Sequence, residues 1–433
     1  FSYLFMNSFK SNSKVVNAWC MYDWANSVYS LVITTAIFPL YYNAVTTTSD
    51  NNYIVSFFGF EIVNSVLYSY SLSFSFLILT IIQPILSGIA DYSGNKKFFL
   101  RIFMYLGSIS CMSLYFFEGD NVEYGIILSV LASIGFTGSL VFYNAFLPEI
   151  STPNNFDKIS ARGYSFGYVG SVILLIICLI LIQSFNFFGF ESSKEATKFT
   201  FLLVGIWWIL FAQITLLYLP EKPKKMVLNR KILTYGMKEL IKVWNYIKGV
   251  KHLKLYLLSY FFYSMGVQTI MLVASYFGDK EINLDQNKLI FTILIIQLIA
   301  IFGAYFFAYV SRLKGNKFSL ITMNICWIVV CLTAYFTNNE YQFYLLAAVV
   351  GILMGGIQSL SRSTFSKLLP KEIGDNASFF NFYGISYNIS VVIGTFSYGY
   401  IEQVTGSMRS SVLALTFFFI IGLFFLIRTQ IKK

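Results

Sequence analysis

Long apolar runs divide the chain, and their lengths set the first constraint. A helix rises about 1.5 Å per residue, so about 20 apolar residues cross the hydrocarbon layer of a bilayer. Twelve runs meet that length: 19–45, 65–89, 98–117, 124–147, 162–183, 199–219, 255–277, 288–310, 319–336, 341–361, 379–402 and 410–428. They are too long for transmembrane strands and do not alternate apolar with polar positions. The pattern predicts an all-α membrane protein with twelve transmembrane helices.

Between the sixth and seventh runs the pattern changes. Residues 220–254 carry apolar Leu233, Met237, Leu240, Ile241, Trp244 and Ile247 at helical spacing, with Lys231, Lys238, Lys242 and Lys248 on the other face. This is a basic amphipathic helix, expected to lie on the membrane surface. A calmodulin-like partner is the alternative reader of the same pattern. The segment divides the chain into an N-terminal six-helix bundle (1–219), a linker (220–254) and a C-terminal six-helix bundle (255–433). Two echoes join the halves. The GNK triplets at Gly94 and Gly315 are offset by 221, and the Leu-Pro pairs of FLPEIS (146–151) and LLPKEI (368–373) by 222. Duplicated, pseudo-symmetric six-helix halves are a plan of secondary transporters.

Composition agrees. Only 12% of the 433 residues are charged, against about 25% in soluble domains, and mean hydropathy is +0.66. The net charge of +11 is unevenly placed. With the amino terminus inside, inner segments hold 26 of the 31 basic residues; outer loops hold Lys194, Lys198, Lys280, Lys288 and Arg409. The positive-inside rule then predicts that both termini are cytoplasmic. The cations face anionic membrane lipid, and nucleic acid is not needed to explain them.

Little in the chain resembles catalytic equipment. The sequence has one histidine, His252, in a basic loop, and five cysteines (Cys20, Cys111, Cys178, Cys326 and Cys331) scattered through apolar stretches. A zinc site needs three or four clustered ligands, so no metal, cofactor or enzymatic activity is expected. No GxxxxGK[ST] loop is present, which argues against an ATP-driven pump. The YLFM run within residues 1–18 is too short for a signal-peptide core.

The polar residues inside the spans carry the functional reading. Asp23 is the one acidic residue well inside a span, and it starts a helical stripe of Asn26, Ser27, Ser30 and Thr34. Such a stripe points at protein or at a water-filled cavity. Asn144 and Glu149 end the fourth span, Arg162 begins the fifth, Gln358 and Arg362 end the tenth, and Asn381 and Asn388 lie in the eleventh. Two readings of Asp23 stand side by side: a gating or coupling group paired with Arg162 or Arg362, or a static salt bridge at a helix end. Tyr29, Ser30, Ser133, Thr137, Gln268, Gln297, Tyr387 and Asn388 either line a cavity or bond helix to helix. After the second span, Asp91, Gly94 and Lys96 in SGIADYSGNKK read as a latch between halves or as an ordinary turn. The position opposite Asp91 in the repeat is Arg312, so the latch would be asymmetric.

YDWANSVYSLVITTAIFP (22–39), YNAFLPEI with ARGYSFGYVGS, and GGIQSLSRSTFSKLLP together resemble the autophagy-related vacuole effluxer family. That family is related to bacterial "unknown major facilitator" transporters within the major facilitator superfamily. The resemblance covers essentially the whole chain. It implies the twelve-helix major facilitator fold, a central cavity, alternating access, and export of neutral amino acids. In the superfamily's helix 2–3 motif, Asp91, Gly94 and Lys96 match, while Ser87 stands for the first Gly and Tyr92 for the Arg. In the seventh span Met265 precedes Gly266 where relatives tend to have Asp.

The expectation is a transporter of a small neutral or zwitterionic solute, with proton coupling through Asp23 or uniport. A phospholipid, sugar or nucleoside transporter, or a non-transporting receptor or scaffold, is the alternative. A monomer is expected, in a bacterial inner membrane, or in the vacuolar membrane if the source is eukaryotic.

Overall fold

The computed structural model describes residues 12–47, 54–221, 232–370 and 376–431. The YLFM run, Lys10, five linker cations including Lys231, Lys371 and the terminal lysines fall outside this set, as does the Leu233 side chain. Twelve long helices dominate: α1 Ser13–Thr46, α2 Asn64–Ser93, α3 Lys96–Ser113, α4 Val122–Asn144, α5 Phe156–Gln183, α6 Ser193–Tyr218, α7 Lys251–Ile282, α8 Gln286–Lys314, α9 Asn316–Phe336, α10 Glu340–Leu368, α11 Asn376–Thr405 and α12 Met408–Arg428. Eleven are long and apolar enough to cross a membrane. The other, α11, is equally long, packs among them and is more polar.

The two halves repeat one packing pattern. In the first, α1 packs on α5 and α6, α3 on α4 and α6, and α2 on α4; in the second, α7 packs on α11 and α12, α9 on α10 and α12, and α8 on α10. The halves meet through α2 with α11 and α5 with α8, two contacts related by the same six-helix shift. Chain direction places the described ends, the α2–α3 and α8–α9 turns and the linker on one face, termed here the terminus face.

Four local features depart from the apolar pattern. First, α1 widens over Tyr29–Ile37 into a π-helix, a distortion common at functional sites; the Thr35 hydroxyl bonds to the carbonyl of Ser30, five residues back, at 2.8 Å. Second, a hairpin between α1 and α2 pairs β1 (Ile54–Phe57) with β2 (Phe60–Val63). Third, His252 lies in the first turn of α7 rather than in a loop, because the amphipathic ends extend the helix beyond its apolar run.

The fourth concerns the linker helix, Ile232–Gly249, which docks on protein. Gly236 crosses Gly88 of α2 so closely that a Cβ on Gly88 would strike the Gly236 backbone. Tyr235 stacks on Tyr92 at 4.7 Å, and Trp244 stacks on Phe382 of α11 at 5.4 Å. Val243 and Ile247 are buried, while Met237 and Ile241 remain exposed. The apolar stripe expected on lipid is therefore shared, part of it spanning α2 and α11 across the two halves. Tyr92 supplies one of these contacts.

Candidate functional site

The site lies where apolar helices bring polar residues to the junction of the halves. A cavity of about 630 Å³ is lined by α1, α2, α4, α5, α7, α8, α10 and α11. Its walls are aromatic, aliphatic and hydroxyl-bearing. Asp23, Arg362 and Asp279 are the charged residues in its lining, and Asp279 is exposed.

The floor is a buried ion pair. Asp23 and Arg362 are 4% and 1% exposed. Arg362 Nη1 and Nη2 each donate to Asp23 Oδ2 at 3.1 Å, and the Tyr143 hydroxyl donates to the same oxygen at 2.8 Å. The remaining guanidinium protons go to Ser160 Oγ (2.9 Å), the Ser160 carbonyl (2.9 Å) and Asn144 Oδ1 (3.3 Å). All five donors of the fork are thus used. The Tyr164 and Trp19 rings lie 4.1 and 4.7 Å from the guanidinium carbon, adding cation–π attraction. Residues from α1, α4, α5 and α10 therefore converge on one charge.

The pair selects Arg362 over Arg162 for a geometric reason. Gly163 is the α5 position that faces Asp23: a Cβ there would sit 2.5 Å from Asp23 Oδ2. Arg162, one residue earlier, is turned about 100° away and packs over Phe166 at 5.3 Å. Arg162 is also absent from the cavity lining.

Below the floor, two clusters tie the halves at pseudo-equivalent places. In the first, Asp91 at the end of α2 accepts from the backbone N–H groups of Ala377 (3.1 Å) and Ser378 (2.6 Å) in the first turn of α11. A carboxylate there meets unpaired N–H groups and the positive end of the helix dipole. Gly94 holds the turn at φ +69°, a conformation Gly adopts without a Cβ penalty. Lys96 pairs with Glu149 and lies 4.0 Å from Asp91.

In the second cluster, Asp157 in the first turn of α5 accepts from Ser311 (2.8 Å), Asn316 (2.8 Å) and Lys367 (2.6 Å). The carboxylate has changed sides, from the turn to the helix it meets. Arg312, the residue opposite Asp91 in the repeat, is exposed and packs over Tyr309. The asymmetry expected from Asp91 against Arg312 is thus one of polarity, with a carboxylate-centred contact between the halves at both places.

Higher in the cavity the polar groups are incompletely paired. The Tyr168 hydroxyl donates to Gln358 Oε1 at 2.8 Å, and Tyr387 donates to Gln268 Oε1 at 3.2 Å. Asn26, Tyr29, Ser30, Ser133, Thr137, Gln297 and Asn388 all line the cavity. Among the described residues, the Asn26 Nδ2 and both amide atoms of Asn388 are buried without a partner. Ser133 bonds to Ser75 at 2.7 Å. Asn381 stands apart: fully buried, outside the lining, and without a partner among the described residues at either amide atom. Sequence reasoning missed Tyr143, Ser160, Asp157, Tyr168 and Asn316. Asp157 had a legible signal, an acid beside Lys158 just before the fifth span.

Known proteins place the chain in a family. The family described as "Vacuole effluxer Atg22 like" matches residues 11–433. The chain is 32% identical to the "Uncharacterized MFS-type transporter YxiO" of Bacillus subtilis, over 96% of this chain and 94% of that protein. It is 24% identical to "Autophagy-related protein 22" of Yarrowia lipolytica, over 86% and 77% of the two. Among solved structures, the major facilitator transporter FucP in the outward conformation aligns with TM-score 0.70 at 13% identity, over 98% of this chain and 99% of that one. The human organic anion transporter MFSD10 (TETRAN) aligns with TM-score 0.70 at 10% identity, over 96% and 99%. These two likenesses establish the fold alone. The twelve helices, the repeated halves and the family match lead to one conclusion: this chain belongs to the Atg22-like effluxer family and is a multi-pass membrane transporter of the major facilitator type, not an enzyme.

Proposed function

We propose that the protein carries a small zwitterionic solute, of the neutral amino-acid class, by alternating access between two rocking halves. One observation carries this reading. At the cavity floor, Asp23 Oδ2 takes three hydrogen bonds while Oδ1 takes none from the described residues. An acceptor is left facing the cavity, suited to a substrate ammonium. Around it stand uncharged donors, and Arg362 balances Asp23. A net cation or net anion would find no fixed counter-charge on this floor, and burying an uncompensated charge is costly. A zwitterion brings its own balance.

The closure on the terminus face supports an outward-open resting state, with that face cytoplasmic as the basic residues predict. We propose residues 1–219 and 255–433 as the moving units and 220–254 as the connecting linker. The protein would act as a monomer in a bacterial inner membrane. Proton coupling follows naturally: a proton on Asp23 would remove the anion that holds Arg362 and release the floor.

The test is counterflow of labelled neutral amino acids in liposomes, with Asp23→Asn alongside. Accumulation that responds to a pH gradient in the native protein and loses that response in Asp23→Asn is expected. Flux insensitive to pH and equal in both proteins would remove the coupling. Failure of folded native protein to accumulate any amino acid would remove the substrate class and turn the search to sugars, nucleosides and lipids.

A further inference from the structure

Gln358 occupies an unusual place. It lies four residues before Arg362 on α10, one helical turn above the ion pair and on the same face. It lines the cavity. Its Oε1 accepts from the hydroxyl of Tyr168 on α5 at 2.8 Å, so its carbonyl is occupied and its orientation is fixed. The Nε2 amide group has no bond to any described residue, and it is not among the buried unpartnered atoms. With the carbonyl end taken by Tyr168, the NH₂ end, a pure donor, is left for a ligand at the cavity that Gln358 lines. The donor thus stands about one turn above Asp23 Oδ1, an unused acceptor.

We propose that Gln358, oriented by Tyr168, is the residue that reads the carboxylate of the transported solute. This rests on the zwitterion reading above and deepens it. The substrate ammonium meets Asp23 Oδ1, and its carboxylate accepts from Gln358 Nε2. The two contacts belong to different halves, α1 and α10, and the Tyr168–Gln358 bond crosses the halves as well. Substrate bound here touches the same inter-half seam that the ion pair closes. A neutral amide suits the role because Arg362, the cation nearby, has no donor left for the ligand. Tyr168, itself in the cavity lining, is assigned a positioning role through its bond to Gln358.

Substitution of Gln358 is expected to change selectivity as well as to weaken binding. In Gln358→Glu the side chain keeps its shape and still accepts from Tyr168, but its donor becomes a second acceptor carrying negative charge. A carboxylate is then repelled, while a ligand with an amide in its place can donate to the new side chain. The probes are L-phenylalanine and L-phenylalaninamide, the latter kept cationic at mildly acidic pH. Both would be measured by binding to purified protein in nanodiscs and by counterflow.

Native protein is expected to favour phenylalanine by about ten-fold or more, the usual cost of leaving a buried polar group unmatched. Gln358→Glu is expected to reverse the order. Tyr168→Phe frees the amide to rotate and should shrink the preference several-fold without reversing it; a merely structural role would lower both ligands together. If Gln358→Glu is not folded, Gln358→Met serves, with the expected result that the preference disappears. A preference unchanged in folded variants would overturn this assignment and leave the zwitterion reading standing. Binding of neither probe nor any other neutral amino acid to native protein would overturn both.

Discussion

The closed end of the molecule and the cavity above it use the same residue types in opposite ways. At the closed end, the charged side chains are matched. Arg362 has all five donors engaged, Asp157 accepts from three side chains, and Asp91 accepts from two backbone amides. In the cavity, amides stand half used: Gln268 and Gln358 are bonded at one end, and Asn388 at neither. Full pairing favours a single arrangement, because a buried charge that loses its partner is costly. Incomplete pairing leaves capacity for a ligand. On the proposed reading, the paired charges hold a conformation and the half-used amides that line the cavity receive a solute, while Asn381, unmatched but outside the lining, has neither part.

The sharpest way to break that contrast is to remove the cation at its centre. Arg362→Ala should cost about 3–5 kcal/mol, because Asp23 is left buried without a counter-charge. A thermal melt in detergent and loss of counterflow would show it. Pairing the change with Asp23→Asn should recover part of the stability, the sign of direct coupling. If the double variant is no more stable than the single one, the pair is not the keystone proposed here.

A smaller effect belongs to the outlying clusters. Asp91→Asn removes charge from the first turn of α11 and should cost about 1 kcal/mol, read as faster hydrogen exchange at the Ala377 and Ser378 amides. Asp157→Asn should act comparably on the α5–α8 contact while leaving those two amides unchanged. Equal acceleration at α11 in both variants would mean the two latches form one unit. The smallest effect is expected in the cavity wall. Ser133→Ala breaks a hydroxyl pair with Ser75 and should cost about 0.6 kcal/mol, as is usual between membrane helices. A loss several times larger would show that the wall also holds the conformation, and would blur the contrast.

Much of this was legible in one dimension. Each apolar run became a helix, since length and composition alone decide what can cross a bilayer. Asp23, Asn144 and Arg362 stood out because polar residues in such helices have few places to go. The partner of Asp23 was not legible. Whether Arg162 or Arg362 meets it depends on how α5 is rotated, and Gly163 settles that only when the helices are packed together. Asp157 escaped because, in sequence, it lies among loop charges that solvent could satisfy. The repeat offset placed Arg312 opposite Asp91, yet the side chain that bonds Asp157 is its neighbour Ser311; an echo fixes a position to within a residue, whereas a hydrogen bond needs the residue itself. The linker helix illustrates another limit. An amphipathic stripe shows that something apolar covers it, and protein or lipid satisfies the pattern equally. The π-helical stretch of α1 carries no compositional mark.

The central claim is that the Asp23–Arg362 pair closes the terminus face while the cavity stays open to the other side. Accessibility measures this directly. In a background without the five native cysteines, a single cysteine at Ser264, a cavity-lining position on α7, would be labelled in liposomes by a membrane-impermeant thiol reagent from each face in turn. Labelling only from the face opposite the termini is expected, with Asp23→Asn shifting a substantial fraction of it to the terminus face. Equal labelling from both faces in the native protein, or no shift in the variant, would contradict the account.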